Sequence, residues 1–145
     1  MLVGVSALAT ILCVAIVACG LAYGRGLQLT FLLPLPLIFG CALFTVRGYA
    51  ITPGTILIQR LFWVTRLPRA GLESAVFLPG AMKGSLRTWG NGGFYSLTGW
   101  YWSRQLGNYR AYVTSGALTL VLRYGKKTFV LSPGEPEAFL KEIGF

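Results

Sequence analysis

The chain of 145 residues contains no histidine and no aspartate, and its only acidic side chains are four glutamates. The absence of these residues excludes Ser-His-Asp catalysis, histidine-centred acid–base chemistry and the common histidine metal sites. Glu135, Glu137 and Glu142 fall in one C-terminal segment, and Glu73 stands alone among the predicted strands. A lone carboxylate does not make an acid–base pair, so we predict a protein that is not an enzyme and uses no cofactor.

Cysteine is also scarce, and Cys13, Cys19 and Cys41 all lie near the N-terminus. Because no Cys-x-x-Cys spacing occurs, the sequence predicts neither a zinc site nor a disulfide scaffold. The three side chains are interpreted as small apolar packing residues. No metal site is therefore expected.

Charge is nearly missing from the first third of the chain, where Arg25 is the only charged residue between Met1 and Val46. Apolar runs over residues 1–24 and 27–46 flank it, and each matches the ~20 residues that a helix needs to cross a bilayer. The composition predicts a transmembrane helical hairpin over residues 1–47. Pro34 and Pro36 should kink its second helix.

The first run also allows a different interpretation, a lipoprotein signal, because Ile16 to Cys19 fits the small-residue pattern before a lipid-modified cysteine. The hairpin is favoured, because no Lys or Arg precedes the run and a second apolar run follows at once. Basic residues follow the second run, beginning with Arg47. The positive-inside tendency then places the C-terminal domain in the cytoplasm.

From Gly48 onward, short segments of β-favouring residues alternate with turn signals. Pro53-Gly54 suits the centre of a type II turn, and Ser115-Gly116 marks a later hairpin. After Pro136 the pattern becomes helical, with Phe139 and Ile143 on one face. This order predicts six or seven antiparallel strands followed by one C-terminal α-helix, in a β-domain over residues 48–145.

Several segments of this domain resemble the bacterial PH-like (pleckstrin-homology-like) domain family, in its small membrane-anchored type. They are YAIT-PG-TILIQR, RLPRAGLESAV, the glycine-rich centre and NYRAYVTSGALTLVLRYGKKTFVLSPGEPEAFL, and together they cover about Gly48 to Ile143. The resemblance implies a PH-like domain behind a two-helix anchor, in a multi-pass protein of the bacterial inner (plasma) membrane. It also implies a non-enzymatic binding or scaffolding role.

The basic charge of the domain suggests its partner. Ten basic residues and one acid lie between Arg60 and Lys127, and the net charge of the chain is +9. Because each Lys or Arg near an anionic leaflet contributes about 1 kcal/mol, we expect contact with the anionic phospholipid headgroups of a lipid bilayer. The expected contact residues are Arg60, Arg66, Arg69, Arg87, Arg104, Trp100 and Trp102.

Protein binding is the alternative function, either to a membrane protein partner or as a homo-oligomer. An uncovered strand edge and small residues in the apolar runs would permit it. Nucleic acid is not an expected partner, because the sequence shows no helix-turn-helix or RNP signature.

The stretch GNGGFYSLTGWYW, residues 90–102, combines glycines and aromatic residues without a charge. It lies among strand signals, which argues against a phosphate-cradling loop. Two interpretations stay open: bulged strands that direct aromatic rings into the core, or an interfacial aromatic patch beside Arg104. Strand alternation places Trp100 and Trp102 on one face and Tyr101 on the other.

Overall fold

The computed structural model of the chain describes residues 10–19, 34–92 and 96–145. Two helices come first: α1, whose described part is residues 10–19, and α2, Pro34–Leu43. Nine strands and a last helix follow in the described residues. They are β1 (Val46–Thr52), β2 (Thr55–Arg60), β3 (Val64–Pro68), β4 (Ser74–Phe77), β5 (Leu86–Gly92), β6 (Leu97–Ser103), β7 (Gly107–Val113), β8 (Leu120–Tyr124), β9 (Lys127–Leu131) and α3 (Pro136–Ile143).

The predicted transmembrane hairpin is not found. Among the described residues no helix is long and apolar enough to span a membrane. Helix α2 has 10 residues, which extend over about 15 Å, half the ~30 Å of a hydrocarbon core. Its described residues begin at Pro34, directly after residues 20–33, which lie outside the described part of the chain.

The prediction of a two-helix transmembrane hairpin over residues 1–47 is therefore wrong. The location inferred from it, a multi-pass inner-membrane protein with its domain in the cytoplasm, is wrong for the same reason. Residues 1–9 and 20–33 of the two apolar runs, with Arg25 between them, lie outside the described residues. Strand β1 begins at Val46, within the segment that was assigned to the second span.

A three-stranded antiparallel sheet, in the order β1-β2-β3, opens the β-domain. The β1–β2 turn lies at Pro53-Gly54, as expected, and Thr52 pairs with Thr55 across it. Gly54 has a φ of 95°, which the third position of a type II turn requires. The hairpin follows from two residues, a proline that fixes φ and a glycine that accepts the positive value.

The second sheet has six strands in the order β4-β8-β9-β7-β6-β5. The β8–β9 hairpin lies between β4 and β7, so that β9 runs parallel to β7, with Tyr109 beside Thr128. The mainly-β fold with a C-terminal helix is confirmed. The predicted six or seven strands, all antiparallel, are replaced by nine strands with one parallel pair.

The main core lies between the two sheets and α3. Ile56 and Ile58 of the small sheet pack on Leu122 and Leu131 of the large sheet, and all four are fully buried. Each such side chain contributes roughly 1.5–3 kcal/mol. Helix α3 completes this core with Phe139 and other apolar residues of one face. The small sheet does not cover the β5–β6 end of this face, where Trp100 and Trp102 are exposed.

The opposite face of the large sheet has its own cluster. Tyr101, Tyr109 and Val121 are buried there, and Ala81 from the β4–β5 connection covers them. Tyr101 stacks on Tyr109 at a centroid distance of 5.9 Å. Both faces of the central strands are thus packed, and the uncovered β5–β6 end of the large sheet is attached to this packed region.

Candidate functional site

A groove of about 920 Å³ lies between the end of α2, the β2–β3 turn and the uncovered end of the large sheet. Three arginines and three tryptophans line it, and none of the described residues that line it is acidic. We call it the arginine–tryptophan groove. Its arginines are Arg60, Arg87 and Arg110, and its tryptophans are Trp63, Trp89 and Trp100.

Strand register places Arg110 in this groove. Arg110 of β7 lies directly opposite Trp100 of β6, so both side chains project from the same face of the sheet. The guanidinium carbon of Arg110 lies 5.5 Å from the Trp100 ring and 5.3 Å from the Tyr112 ring. These distances suit cation–π contact, which orients the guanidinium group while leaving its N–H donors available.

Arg60 enters the groove from the other side, at the end of β2. Its guanidinium carbon lies 4.9 Å from the Tyr112 ring and 5.6 Å from the Trp63 ring. Tyr112 therefore contacts two arginines, and it joins the small sheet to the large one. Two positive charges are held close together by aromatic rings.

This environment is electrostatically unfavourable for the cations. Burial lowers the pKa of Arg60; Tyr112 opposes the shift, and the positive charge of Arg110 adds to it. In the part of the chain that the structure describes, the Nε of Arg60 is buried without a hydrogen-bond partner. A buried donor without an acceptor costs roughly 1–3 kcal/mol. An anion beside these arginines would supply the negative charge that the described lining lacks.

The aromatic residues of the glycine-rich stretch divide between core and surface. Tyr101 is 4% exposed, whereas Trp100 is 48% and Trp102 is 39% exposed. The predicted alternation is therefore confirmed; the core interpretation holds for Tyr101, and the interfacial interpretation of Trp100 and Trp102 stays a prediction. Phe94 and Tyr95 of the same stretch, which the core interpretation would bury, lie outside the described residues.

Two glycines form part of the groove wall where β5 and β6 approach each other. Gly90 and Gly99 are paired across the strands, with φ values of 115° and 142°. A Cβ atom on Gly99 would lie 2.8 Å from the Cα of Gly90 and still closer to the carbonyl oxygen of Trp89. The glycines thus permit a close contact between strands, which brings Trp89 beside Trp100.

The structure brings together only some of the predicted contact residues. Arg60, Arg87 and Trp100 line the groove, but the other four do not. Arg69 donates from Nη2 to the carbonyl oxygen of Ile143 at 2.7 Å, at the end of α3. The remaining three are exposed elsewhere: Arg66 on β3, Trp102 further along β6 and Arg104 in the β6–β7 turn.

Sequence reasoning missed Arg110, Trp63 and Trp89 as lining residues. A signal for Arg110 existed, because Arg104 to Leu106 separate two β-favouring segments and so predict a hairpin. Counting outward from that turn would have placed Arg110 opposite Trp100. No comparable local signal connects Trp63 with these strands, because it comes from the other sheet.

A smaller cleft of about 380 Å³ lies beside the start of α3. Hydrogen bonds of two of its lining side chains are internal to the fold: the Ser132 hydroxyl accepts from the backbone N–H of Thr114 at 2.8 Å, and the Tyr49 hydroxyl donates to the carbonyl of Tyr112. The Tyr49 oxygen also accepts from the Ser132 N–H at 3.1 Å. This network ties β1 to the β9–α3 connection, which is a structural role.

Comparison with known proteins agrees with the fold. A family model described as bacterial PH domain matches residues 47–144. No curated protein and no solved structure matches the chain. PH-like domains are generally non-catalytic modules that bind lipids or proteins, and no enzyme family is indicated. Because the matched residues make up well over half of the 145-residue chain, this protein belongs to the bacterial PH domain family.

Proposed function

We propose that the domain is a non-enzymatic module that binds an anionic phospholipid headgroup in the arginine–tryptophan groove, at the surface of a membrane. One observation carries this proposal: three arginines and three tryptophans share a groove whose described lining contains no carboxylate. The arginines have no negative partner in this lining. A phosphate group is the chemical complement of such a site.

The positions of the arginines suit a phosphodiester. Arg60 and Arg110 both contact the Tyr112 ring, and each also contacts one tryptophan ring, Trp63 and Trp100 respectively, so these rings hold the two guanidinium groups in place. A stacked guanidinium group keeps its edge free for the oxygens of a phosphate.

The tryptophans favour a lipid as the source of the phosphate. Trp89 is 79% exposed and Trp100 is 48% exposed, although both line the groove. Indole rings prefer the headgroup level of a bilayer, where one side is apolar and the other is hydrated. The net charge of +9 adds attraction to an anionic surface.

Binding of the full chain to vesicles tests the proposal. Vesicles of phosphatidylcholine alone are compared at low salt with vesicles in which part of it is replaced by phosphatidylglycerol. Three of the four tryptophans line the groove, so intrinsic fluorescence reports on the site directly. We expect tighter binding to the anionic vesicles and a change in the emission spectrum.

Two matched variants separate the groove from the overall charge. Arg110→Gln removes a groove arginine, and Arg123→Gln removes an exposed arginine on the opposite face of the large sheet. Loss of about 1 kcal/mol of binding free energy should raise the Kd of Arg110→Gln for anionic vesicles about fivefold. The Kd of Arg123→Gln should rise clearly less. Equal losses would show that only net charge matters, and the groove would then not be the site.

A second candidate function, protein binding, is favoured by the position of β5. This strand is at the edge of the large sheet, and Leu86 and Trp89 are 64% and 79% exposed on it. Such an edge can accept another strand. Mass determination of the purified chain tests this function: an oligomer that dissociates in Trp89→Lys would support it, and a monomer without a co-purifying protein would contradict it.

A further inference from the structure

The β2–β3 turn beside the groove exposes four consecutive apolar side chains. Residues 61–64, which we call the β2–β3 tip, are 36%, 70%, 39% and 47% exposed in order. They are Leu61, Phe62, Trp63 and Val64. A run of this length on a surface is unfavourable in water, and it usually marks a place where another phase or molecule covers the protein.

The tip is held in a defined conformation. The backbone N–H of Arg60 donates to the carbonyl oxygen of Trp63 at 3.0 Å, and Gln59 pairs with Val64 below the turn. The Trp63 ring packs edge-on against Phe44 with centroids 5.3 Å apart. Trp63 is thus fixed in the groove wall, while Phe62 has the largest exposed fraction of the four residues.

We infer that the β2–β3 tip inserts into an anionic lipid bilayer, with Phe62 as its main anchor, while the arginine–tryptophan groove holds a headgroup. This inference rests on the proposed function and adds an orientation to it. Trp63 belongs to both the tip and the groove, so one protein face presents an apolar anchor and a phosphate site side by side.

The order of residues along the tip matches the layers of a bilayer. Arg60 is the cation next to the tip and suits the phosphate level. Trp63 suits the headgroup boundary, and the fully apolar Phe62 suits the acyl chains beyond it. Such a layered arrangement brings all three groups into favourable surroundings in one docking pose.

Charge complementarity selects the bilayer over a protein partner. The groove beside the tip carries three arginines and, among its described lining residues, no acid, so it favours a partner with negative charge next to the apolar region. A turn of four residues also buries little area against a flat protein surface. Fluid lipid closes around such a turn on all sides and therefore covers its apolar atoms completely.

Exchange of Phe62 in the full chain tests the anchor. Burial of one phenylalanine side chain predicts about tenfold weaker binding of Phe62→Ser to vesicles of phosphatidylcholine and phosphatidylglycerol. Phe62→Leu should bind nearly as the wild type does. Val76→Ser is the matched control, because Val76 is an exposed apolar residue on β4, 54% accessible and outside the groove.

Quenching by lipids brominated in their acyl chains gives a second readout that does not depend on affinity. Phe62→Trp should add emission that these lipids quench, and a Val76→Trp probe should not be quenched. If Phe62→Ser binds as the wild type does and Phe62→Trp is not quenched, the tip inference is overturned.

The two proposals fail in different ways. If Arg110→Gln loses binding while Phe62→Ser binds as the wild type does and Phe62→Trp is not quenched, the groove is retained and the anchor is refuted. If brominated lipids quench Phe62→Trp while Arg110→Gln binds vesicles as tightly as the wild type does, the anchor is supported and the groove is refuted. If Phe62→Ser loses an oligomer or a bound protein but still binds vesicles, the tip is a protein contact and the inference is wrong.

Discussion

Replacing Gly99 by alanine tests whether the close contact of β5 and β6 is essential to the wall of the groove. Gly99 has a φ of 142°, a value that residues with a side chain rarely adopt. Its added Cβ would also lie 2.8 Å from the Cα of Gly90, and these are backbone atoms that cannot rotate away. The substitution therefore combines backbone strain with steric overlap.

The two effects can be estimated separately. Strain at such a φ costs on the order of 1–3 kcal/mol, and overpacking adds about 1–3 kcal/mol. The sum, about 2–6 kcal/mol, is a large part of the roughly 5–15 kcal/mol that stabilises a typical domain. We therefore expect Gly99→Ala to lower the urea midpoint strongly, measured through tryptophan fluorescence of the full chain.

Two other glycines serve as controls. Gly71 has a φ of 88° but no atom within 4 Å of an added Cβ, so Gly71→Ala should show the backbone cost alone. Gly116 has neither a positive φ nor a close neighbour, and Gly116→Ala should change the free energy of unfolding by less than about 1 kcal/mol. If Gly99→Ala costs no more than Gly71→Ala, the steric argument is refuted.

Two further predictions concern the C-terminal helix and the buried tyrosines. Arg69→Gln should lower the free energy of unfolding by about 1–2 kcal/mol, because it removes the 2.7 Å hydrogen bond to the Ile143 carbonyl. Urea unfolding measures this change. The control is the exposed Arg66→Gln variant, whose free energy of unfolding should lie within about 0.5 kcal/mol of the wild type. Burial raises the pKa of Tyr49 above its ordinary 10.0, so the folded chain holds this proton more tightly than the unfolded chain does. Stability should be complete below pH 10 and fall as the pH rises through the folded pKa, and an unchanged alkaline slope in Tyr49→Phe would contradict this assignment.

Local features of the fold were predictable from the sequence. Pro53-Gly54 predicted the first hairpin, and strand alternation predicted that Trp100 and Trp102 lie on one face and Tyr101 on the other. The start of α3 at Pro136 followed from the tolerance of proline in a first turn. Each of these predictions depends only on neighbouring residues. The hairpin expected at Ser115-Gly116 is wrong, because β7 and β8 on either side of it pair with other strands.

Features that depend on distant residues were not predictable. The insertion of the β8–β9 hairpin beside β7 depends on sheet order, which local patterns do not contain. Likewise, apolar composition indicates that a segment avoids water, but it does not give the length of a helix. For this reason residues 1–47 were predicted as two membrane-spanning helices. The groove joins Trp63 with Arg110 from a different sheet, and only tertiary packing brings them near each other.

The groove lies between two parts of the chain that can form separately during folding. The β1-β2-β3 sheet and the β5–β6–β7 meander each consist of strands adjacent in sequence, so each can form early through short loops. Arg60 belongs to the first part and Arg110 to the second, which means that the site exists only after the parts have docked. A phosphate held between these arginines would bind only the docked state, and at a ligand concentration of one hundred times Kd it would stabilise that state by about 2.7 kcal/mol. Occupancy of the groove and completion of the fold are thus linked equilibria, and a chain with an empty groove should separate into its two parts more readily.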